Sequence, residues 1–165
     1  MSERQTSLWT ETTEEAFGKT PEVELGRKGE LLVFNEVLSW GNGWEALDHE
    51  QDQKLQVQGI DLSIKKPTWK RFYTVDVKTG KSYLNEYGNI VIDLKPDGWL
   101  LNPQKTSDRI WHVNVDTGWM AWYDRNDMKK YIQTISEQIG DKTWYSIAPK
   151  STPDFVFRQK VKHAG

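Results

Sequence analysis

The sequence predicts an α/β (α+β) domain built on a central mixed β-sheet flanked by helices. Two stretches, Val23–Val37 and Met128–Ile139, carry apolar residues at helical spacing. Between them, short runs rich in Val, Ile and Trp alternate with period two and are separated by turn signals. That order, a helix, then strands, then a hairpin and a helix, packs as helices against a sheet. At 165 residues the chain fits one domain. A domain of roughly that size buries about 68–70% of its unfolded surface, enough for a core without metal or disulfide.

Residues 1–19 lack periodicity and read as a flexible N-terminal arm, leaving 20–165 as the single domain. Thr20-Pro21 is an N-cap followed by proline in the first helical turn. From there to Trp40, the residues Val23, Gly26, Glu30, Val33, Phe34 and Val37 form one mostly apolar stripe, which turns Glu30 inward. Arg27, three residues earlier, flanks the stripe and can pair with Glu30. Trp40-Gly41-Asn42-Gly43 ends the helix. Trp44–Leu47 and Leu55–Ile64 read as strands, and Lys65-Lys66-Pro67-Thr68 turns the chain into a third, Arg71–Lys78, antiparallel to the second. Tyr87-Gly88-Asn89 precedes a strand at Ile90–Ile92. Trp111, Val113 and Val115 alternate, Asp116-Thr117-Gly118 turns, and Trp119–Tyr123 returns as a hairpin. Asn126 caps a helix with Met128, Tyr131, Ile132, Ile135 and Ile139 on one face, ended by Gly140. Trp144–Ala148 and Phe155–Phe157 read as short edge strands before a basic tail.

Composition narrows the function. The absence of Cys excludes disulfide scaffolds, Cys-ligated zinc, iron–sulfur clusters and thiol catalysis. A polar, acidic N-terminus without an apolar segment, and no run approaching a membrane span, predict a soluble chain, with a cytoplasmic location compatible. The formal net charge of -2 argues against nonspecific nucleic-acid binding by bulk charge and leaves that role to local patches. His49, His112 and His163 are scattered without zinc-ligand spacing, and His112, between Trp111 and Val113, reads as structural. No P-loop motif is present.

The chemistry concentrates in Glu30, Asp61, Asp76 and Lys78. Asp61 closes the alternating run Leu55, Val57, Gly59, Asp61, and Asp76 stands two residues before Lys78. Strand alternation sends Asp76 and Lys78 off one face, roughly 6.6 Å apart along the strand. Carboxylates crowded on one surface repel unless a cation sits among them. Taken singly, each is also an ordinary strand-face, turn or helix residue. Lys65, Lys66, Lys70 and Arg71 cluster at the hairpin tip, either as a solvated turn or as a grip on a phosphate backbone. Lys150, Arg158, Lys160, Lys162 and His163 read as a solvated tail, with nucleic-acid contact as the minor alternative. The tryptophans around Gly118-Trp119 and Trp122 would suit a sugar platform, but the helices favour a core role.

With Glu30 on a helix, Gly59-Ile60-Asp61 on one strand and Asp76-Val77-Lys78 on the next, the chain resembles the PD-(D/E)xK nuclease superfamily, whose members share a restriction-endonuclease-like fold and include junction resolvases. The likeness runs from about Gly26 to Gly80. Beyond it, Gly88-Asn89-Ile90-Val91-Ile92-Asp93, Gly98-Trp99 and Ser107-Asp108 resemble a pattern of phage-type members. The sequence departs from the motif in having Gly-Ile-Asp for Pro-Asp, and Asp76 where many relatives have Glu. The resemblance implies a Mg²⁺- or Mn²⁺-dependent DNA nuclease, endonuclease or exonuclease, in a phage or its host cytoplasm. Asp61, Asp76, the Val77 carbonyl and Glu30 would hold the metal, with Lys78 as the catalytic cation. The substrate is DNA, with single-stranded, duplex and branched forms all open. A homodimer is compatible, since cutting two strands takes two sites. The alternative is a catalytically silent member of the fold that binds nucleic acid or protein.

Overall fold

The computed structural model describes residues 20–161. Helix α1 (Pro21–Ser39) starts where the sequence places it. Thr20 caps it by accepting the Val23 N–H at 3.3 Å, and Pro21 fills its first turn. There follow β1 (Glu45–Asp48), α2 (Gln53–Val57), β2 (Leu62–Lys65), β3 (Tyr73–Thr79), β4 (Ile90–Asp93), β5 (Arg109–Val113), β6 (Trp119–Asp124), α3 (Arg125–Thr134), α4 (Ser136–Ile139), β7 (Trp144–Ile147) and β8 (Phe157–Lys160). Six strands form the central mixed sheet in the order β1-β2-β3-β5-β6-β8, with β3 and β5 parallel and the other pairs antiparallel. Strands β4 and β7 pair antiparallel as a separate two-stranded sheet.

The two faces of the sheet carry two cores. Val33 and Val37 of α1 pack with Leu62, Ile64, Val75, Val77, Trp111 and Val113. Trp40 joins this layer, and Trp111 and Trp122 stack at 4.4 Å. On the other face Ile110, Ala121 and Tyr123 pack with Ile90 and Ile92 of β4 and with Met128 and Ile132 of α3. Because Val75 and Val77 face α1, the intervening Asp76 and the following Lys78 point to the other side.

Several expectations are corrected. Leu55–Ile64 is not one strand. Asp52 accepts the Leu55 N–H at 3.1 Å and caps the short helix α2, and Gly59, at φ +72°, turns the chain before β2 starts at Leu62. The alternation of Leu55 and Val57 therefore marks no sheet face, and Val57 is 67% exposed. Val23 lies off the buried stripe of α1, whose buried positions are Gly29, Val33 and Val37. The second helix is capped by Asp124, which accepts from the N–H groups of Asn126 and Asp127, rather than by Asn126. It breaks at Ile135 into α3 and α4. The last strand begins at Phe157 rather than Phe155. The proposed arm at 1–19, and Lys162 and His163 of the tail, lie outside the described residues. Among the described residues no helix is long and apolar enough to cross a membrane.

Candidate active site

The β2–β3 ladder ends where the carboxylates begin. The N–H of Asp61 donates to the Val75 carbonyl at 2.8 Å, and the Val77 N–H donates to Asp61 Oδ2, also at 2.8 Å. The Asp61 carboxylate thus takes the rung that a backbone carbonyl would fill had β2 continued. A strand residue directs its N–H and C=O to the same side, so the Val77 carbonyl faces Asp61 as well. Extending the register of Leu62 with Val75 by one step brings Asp61 alongside Asp76.

Asp76 is only 2% exposed. Its Oδ1 lies 3.3 Å from Lys78 Nζ, which closes the along-strand offset through the length of the lysine side chain. Its Oδ2 has no hydrogen-bond partner and sits 3.8 Å from Arg125 Nη2. Gly59 supports the approach: a Cβ built there would meet Asp76 Oδ2 at 3.3 Å and Lys105 Cδ at 3.2 Å. The Gly59 turn is clamped by Lys105 Nζ on the Val57 carbonyl and by the Thr106 N–H on the Gln58 carbonyl.

Glu30 comes from α1 and is close enough for its charge to act on Asp61. It is also engaged elsewhere. Arg27 Nη1 contacts Glu30 at 3.2 Å, and the same guanidinium reaches Asp48 at 2.6 Å and Glu50 at 2.9 Å. The structure therefore realises the Arg27–Glu30 pairing noted in the sequence. Gly29, next to Glu30, allows α1 to press on β3. A Cβ at that position would fall 1.8 Å from Thr79 Oγ1.

These environments shift proton affinity upward. Burial pushes Asp61 up to about 8, with the charges of Asp76 and Glu30 adding to it and the Val77 hydrogen bond and Lys78 opposing. Burial also raises Asp76, against the pull of Lys78 and Arg125. Glu30 is raised by burial despite Arg27. Each of these carboxyls therefore holds a proton more tightly than an exposed carboxyl would.

Arg125 is a contributor that the sequence reading missed. It is 4% exposed and donates Nε to the Ser107 carbonyl, Nη1 to the Trp99 and Leu100 carbonyls, and Nη2 to Ser107 Oγ. Of the five N–H groups of a guanidinium, the remaining Nη2 hydrogen is the one available to Asp76. A signal existed: a cation in the first turn of a helix opposes the helix dipole and calls for a local counter-charge.

The basic hairpin tip stands apart from the carboxylates. Lys65 is four positions on from Asp61, about 13 Å along a strand. Arg71 there is paired with Asp108 at 3.0 Å and lies over Tyr73, and Lys66 lies over Trp69. Arg158 belongs to β8 and bonds the carbonyls of Gly88 and Ile147 instead of trailing in solvent. His112 is fully buried between the Tyr83 carbonyl and the Tyr123 hydroxyl, at 2.9 and 2.6 Å.

Among the described residues no group of three or more His, Cys, Asp or Glu side chains is gathered as a metal-binding cluster. Asp61 lies alongside Asp76, while Glu30 is paired with Arg27. The oxygen-only donor set and the partnerless Asp76 Oδ2 fit a hard divalent cation. No protein-family model, curated protein or solved structure matches the chain.

Proposed function

We propose that the chain is a metal-dependent DNA nuclease of the PD-(D/E)xK type, with the restriction-endonuclease-like arrangement of its sheet. The observation that carries this reading is Asp76: a buried carboxylate beside Asp61 and 3.3 Å from the Lys78 amine, with one oxygen that no N–H group of the protein reaches at hydrogen-bond distance. A carboxylate kept in that condition is costly to the fold unless a ligand completes it. Asp61, Asp76, the Val77 carbonyl and Glu30 would hold Mg²⁺ or Mn²⁺. A bound ion of this kind lowers the pKa of water and offsets charge on a phosphoryl group.

The chain's own groups do the rest. The Val77 N–H fixes the Asp61 carboxylate, and Arg125 balances Asp76 from the interior side, so neither carboxylate must reorganise when substrate arrives. Lys78, 22% exposed at its side chain, donates to the attacking water or to a nonbridging phosphate oxygen as charge builds there. Glu30 would serve the metal without stranding Arg27, which would keep Asp48 and Glu50 as partners.

The test is cleavage of single-stranded, duplex and branched DNA in Mg²⁺ or Mn²⁺ by wild type, Asp76→Ala and Lys78→Met. Wild type should cut at least one substrate. Asp76→Ala should lose both metal binding and cutting. Lys78→Met should still bind metal and lose roughly 10²–10³ in single-turnover rate, the range for removing one charge-stabilising donor. Wild type inert in both metals would overturn the proposal. Undiminished cutting by Lys78→Met would remove that residue from the catalytic set.

A further inference from the structure

Past the C-terminal end of β3 the surface is hollowed into two adjoining cavities. The first, of about 440 Å³, runs between the start of α1 at Leu25 and Gly26 and the segment from Val77 to Tyr83, and Lys78 lines it. The second, of about 310 Å³, shares Ser82 and Tyr83 with the first and continues to Asp93, Lys95, Trp99 and Trp144. The two cavities therefore meet at Ser82 and Tyr83, with Lys78 on the wall of the first.

That cavity has flat walls and polar corners. Trp144 and Asp93 are directly opposed in the β4–β7 register, which puts the indole and the carboxylate side by side on one face. The neighbouring pair, Ile92 and Tyr145, packs toward the core, so Trp144 and Asp93 turn outward. Trp144 is 57% exposed, which leaves its ring open to the cavity. Tyr83 and Trp99 form a second wall, edge to face at 6.3 Å. His112 holds that wall in place through the Tyr83 carbonyl and by packing on Trp99 at 5.3 Å. Asp93 is fixed by accepting the Lys95 N–H at 2.9 Å, and its carboxylate packs close to Gly98, where a Cβ would lie 2.6 Å away. Thr143 and Ser82 add hydroxyls.

Aromatic walls with hydrogen-bonding groups at their margins suit a flat heterocycle that carries donors on its edge. Lys78, Lys81 and Lys95 lining the two cavities outnumber Glu22 and Asp93 and suit the phosphates joined to it. A base in a duplex has its edge occupied and its faces stacked, so only an unpaired one can enter. We infer that the cavity between Trp144 and the Tyr83–Trp99 wall receives an unpaired nucleobase of the strand being cut, which makes single-stranded or locally unpaired nucleic acid the preferred substrate. The inference rests on the nuclease reading for the strand's direction past Lys78, whereas the binding itself is tested without cleavage.

Fluorescence anisotropy in chelator, with a labelled mixed-sequence single-stranded oligodeoxynucleotide, its RNA counterpart and the matching DNA duplex, provides that test. Wild type should bind the single strands more tightly than the duplex. Trp144→Ala should weaken single-strand binding roughly fivefold to a hundredfold, the range for losing one base–aromatic stack. Trp144→Phe should recover most of it. Tyr87→Ala, which removes a 76% exposed ring outside the cavity, should bind as wild type does. Equal single-strand affinities for wild type and Trp144→Ala, including no binding by either, would overturn the inference. If wild type cuts DNA but Trp144 proves irrelevant, the cavity assignment fails and the nuclease reading stands. If binding depends on Trp144 and no metal produces cutting, the nuclease reading fails and the base site stands.

Discussion

Replacing Asp61 with Asn tests the crowding of carboxylates in the metal-free protein. Asn keeps an acceptor for the Val77 N–H and removes the titrating charge. In the folded chain the Asp61 carboxyl is raised from 3.8 to about 8. A raised acid stabilises the fold below its unfolded value, and this contribution is lost as pH climbs through the folded value. Between about pH 5 and about pH 8.5 the linkage relation gives a loss on the order of 4 kcal/mol for such a shift. At roughly 2–4 °C per kcal/mol for a domain of about this size, that is a fall of about 10 °C in melting temperature. Denaturant and thermal melts in chelator should therefore show wild type losing stability across this range, with Asp61→Asn much flatter. Adding Mn²⁺ at alkaline pH should restore wild type by about 2.7 kcal/mol at a hundredfold excess over Kd, and restore the variant far less. Parallel pH profiles for the two proteins would show that Asp61 does not carry this strain, and identical Mn²⁺ responses would remove it from the proposed metal site.

His112 is held down to about 3 by burial, so its effect has the opposite sign: the unfolded chain takes up a proton that the native one refuses, and stability falls as pH drops from about 6.5 toward 3. His112→Phe should remove this acid sensitivity, visible in acid melts, while costing roughly 1–3 kcal/mol at neutral pH for each polar group left unpaired, namely the Tyr83 carbonyl and the Tyr123 hydroxyl. Gly59→Ala and Gly41→Ala make a matched pair. Both residues have positive φ, +72° and +62°, but a Cβ at Gly41 meets nothing within 4 Å, whereas at Gly59 it meets Asp76 and Lys105. Both variants should lose about 1–2 kcal/mol from backbone strain, and only Gly59→Ala should also weaken Mn²⁺ binding in calorimetry. Equal metal affinity in the pair would mean that Gly59 does not shape the site.

The parts of this fold that local chemistry decides were legible in the sequence. The Thr20-Pro21 start of α1, the Asp116-Thr117-Gly118 hairpin and the shared phase of Asp76 and Lys78 each follow from neighbours a few residues apart. The run before Asp61 misled because its alternation was real but its backbone was claimed by the Asp52 cap and the Gly59 turn. Position two before a strand and one turn after a helix look alike in hydropathy. That β4 leaves the central sheet for β7 was not legible, because a partner some fifty residues distant leaves no local mark. Arg125 carried only the faint mark of a cation in the first turn of a helix, since its partners, carbonyls at Trp99, Leu100 and Ser107 and a carboxylate at Asp76, all lie far from it in sequence. The Arg27–Glu30 contact, at helical spacing, was within reach.

The parallel joint between β3 and β5 has a consequence for the order of events during synthesis. Glu30, Asp61, Asp76 and Lys78 all precede that joint, and their strands pair through short connections. Arg125 follows it, at the end of the β5–β6 hairpin. Chains emerge from the ribosome N-terminus first, at roughly 5–20 residues per second. The acidic half therefore spends several seconds without the guanidinium that offsets Asp76 in its buried position. Until residue 125 arrives, the carboxylates remain hydrated, so the buried environment of Asp76 is completed only after the second half has docked.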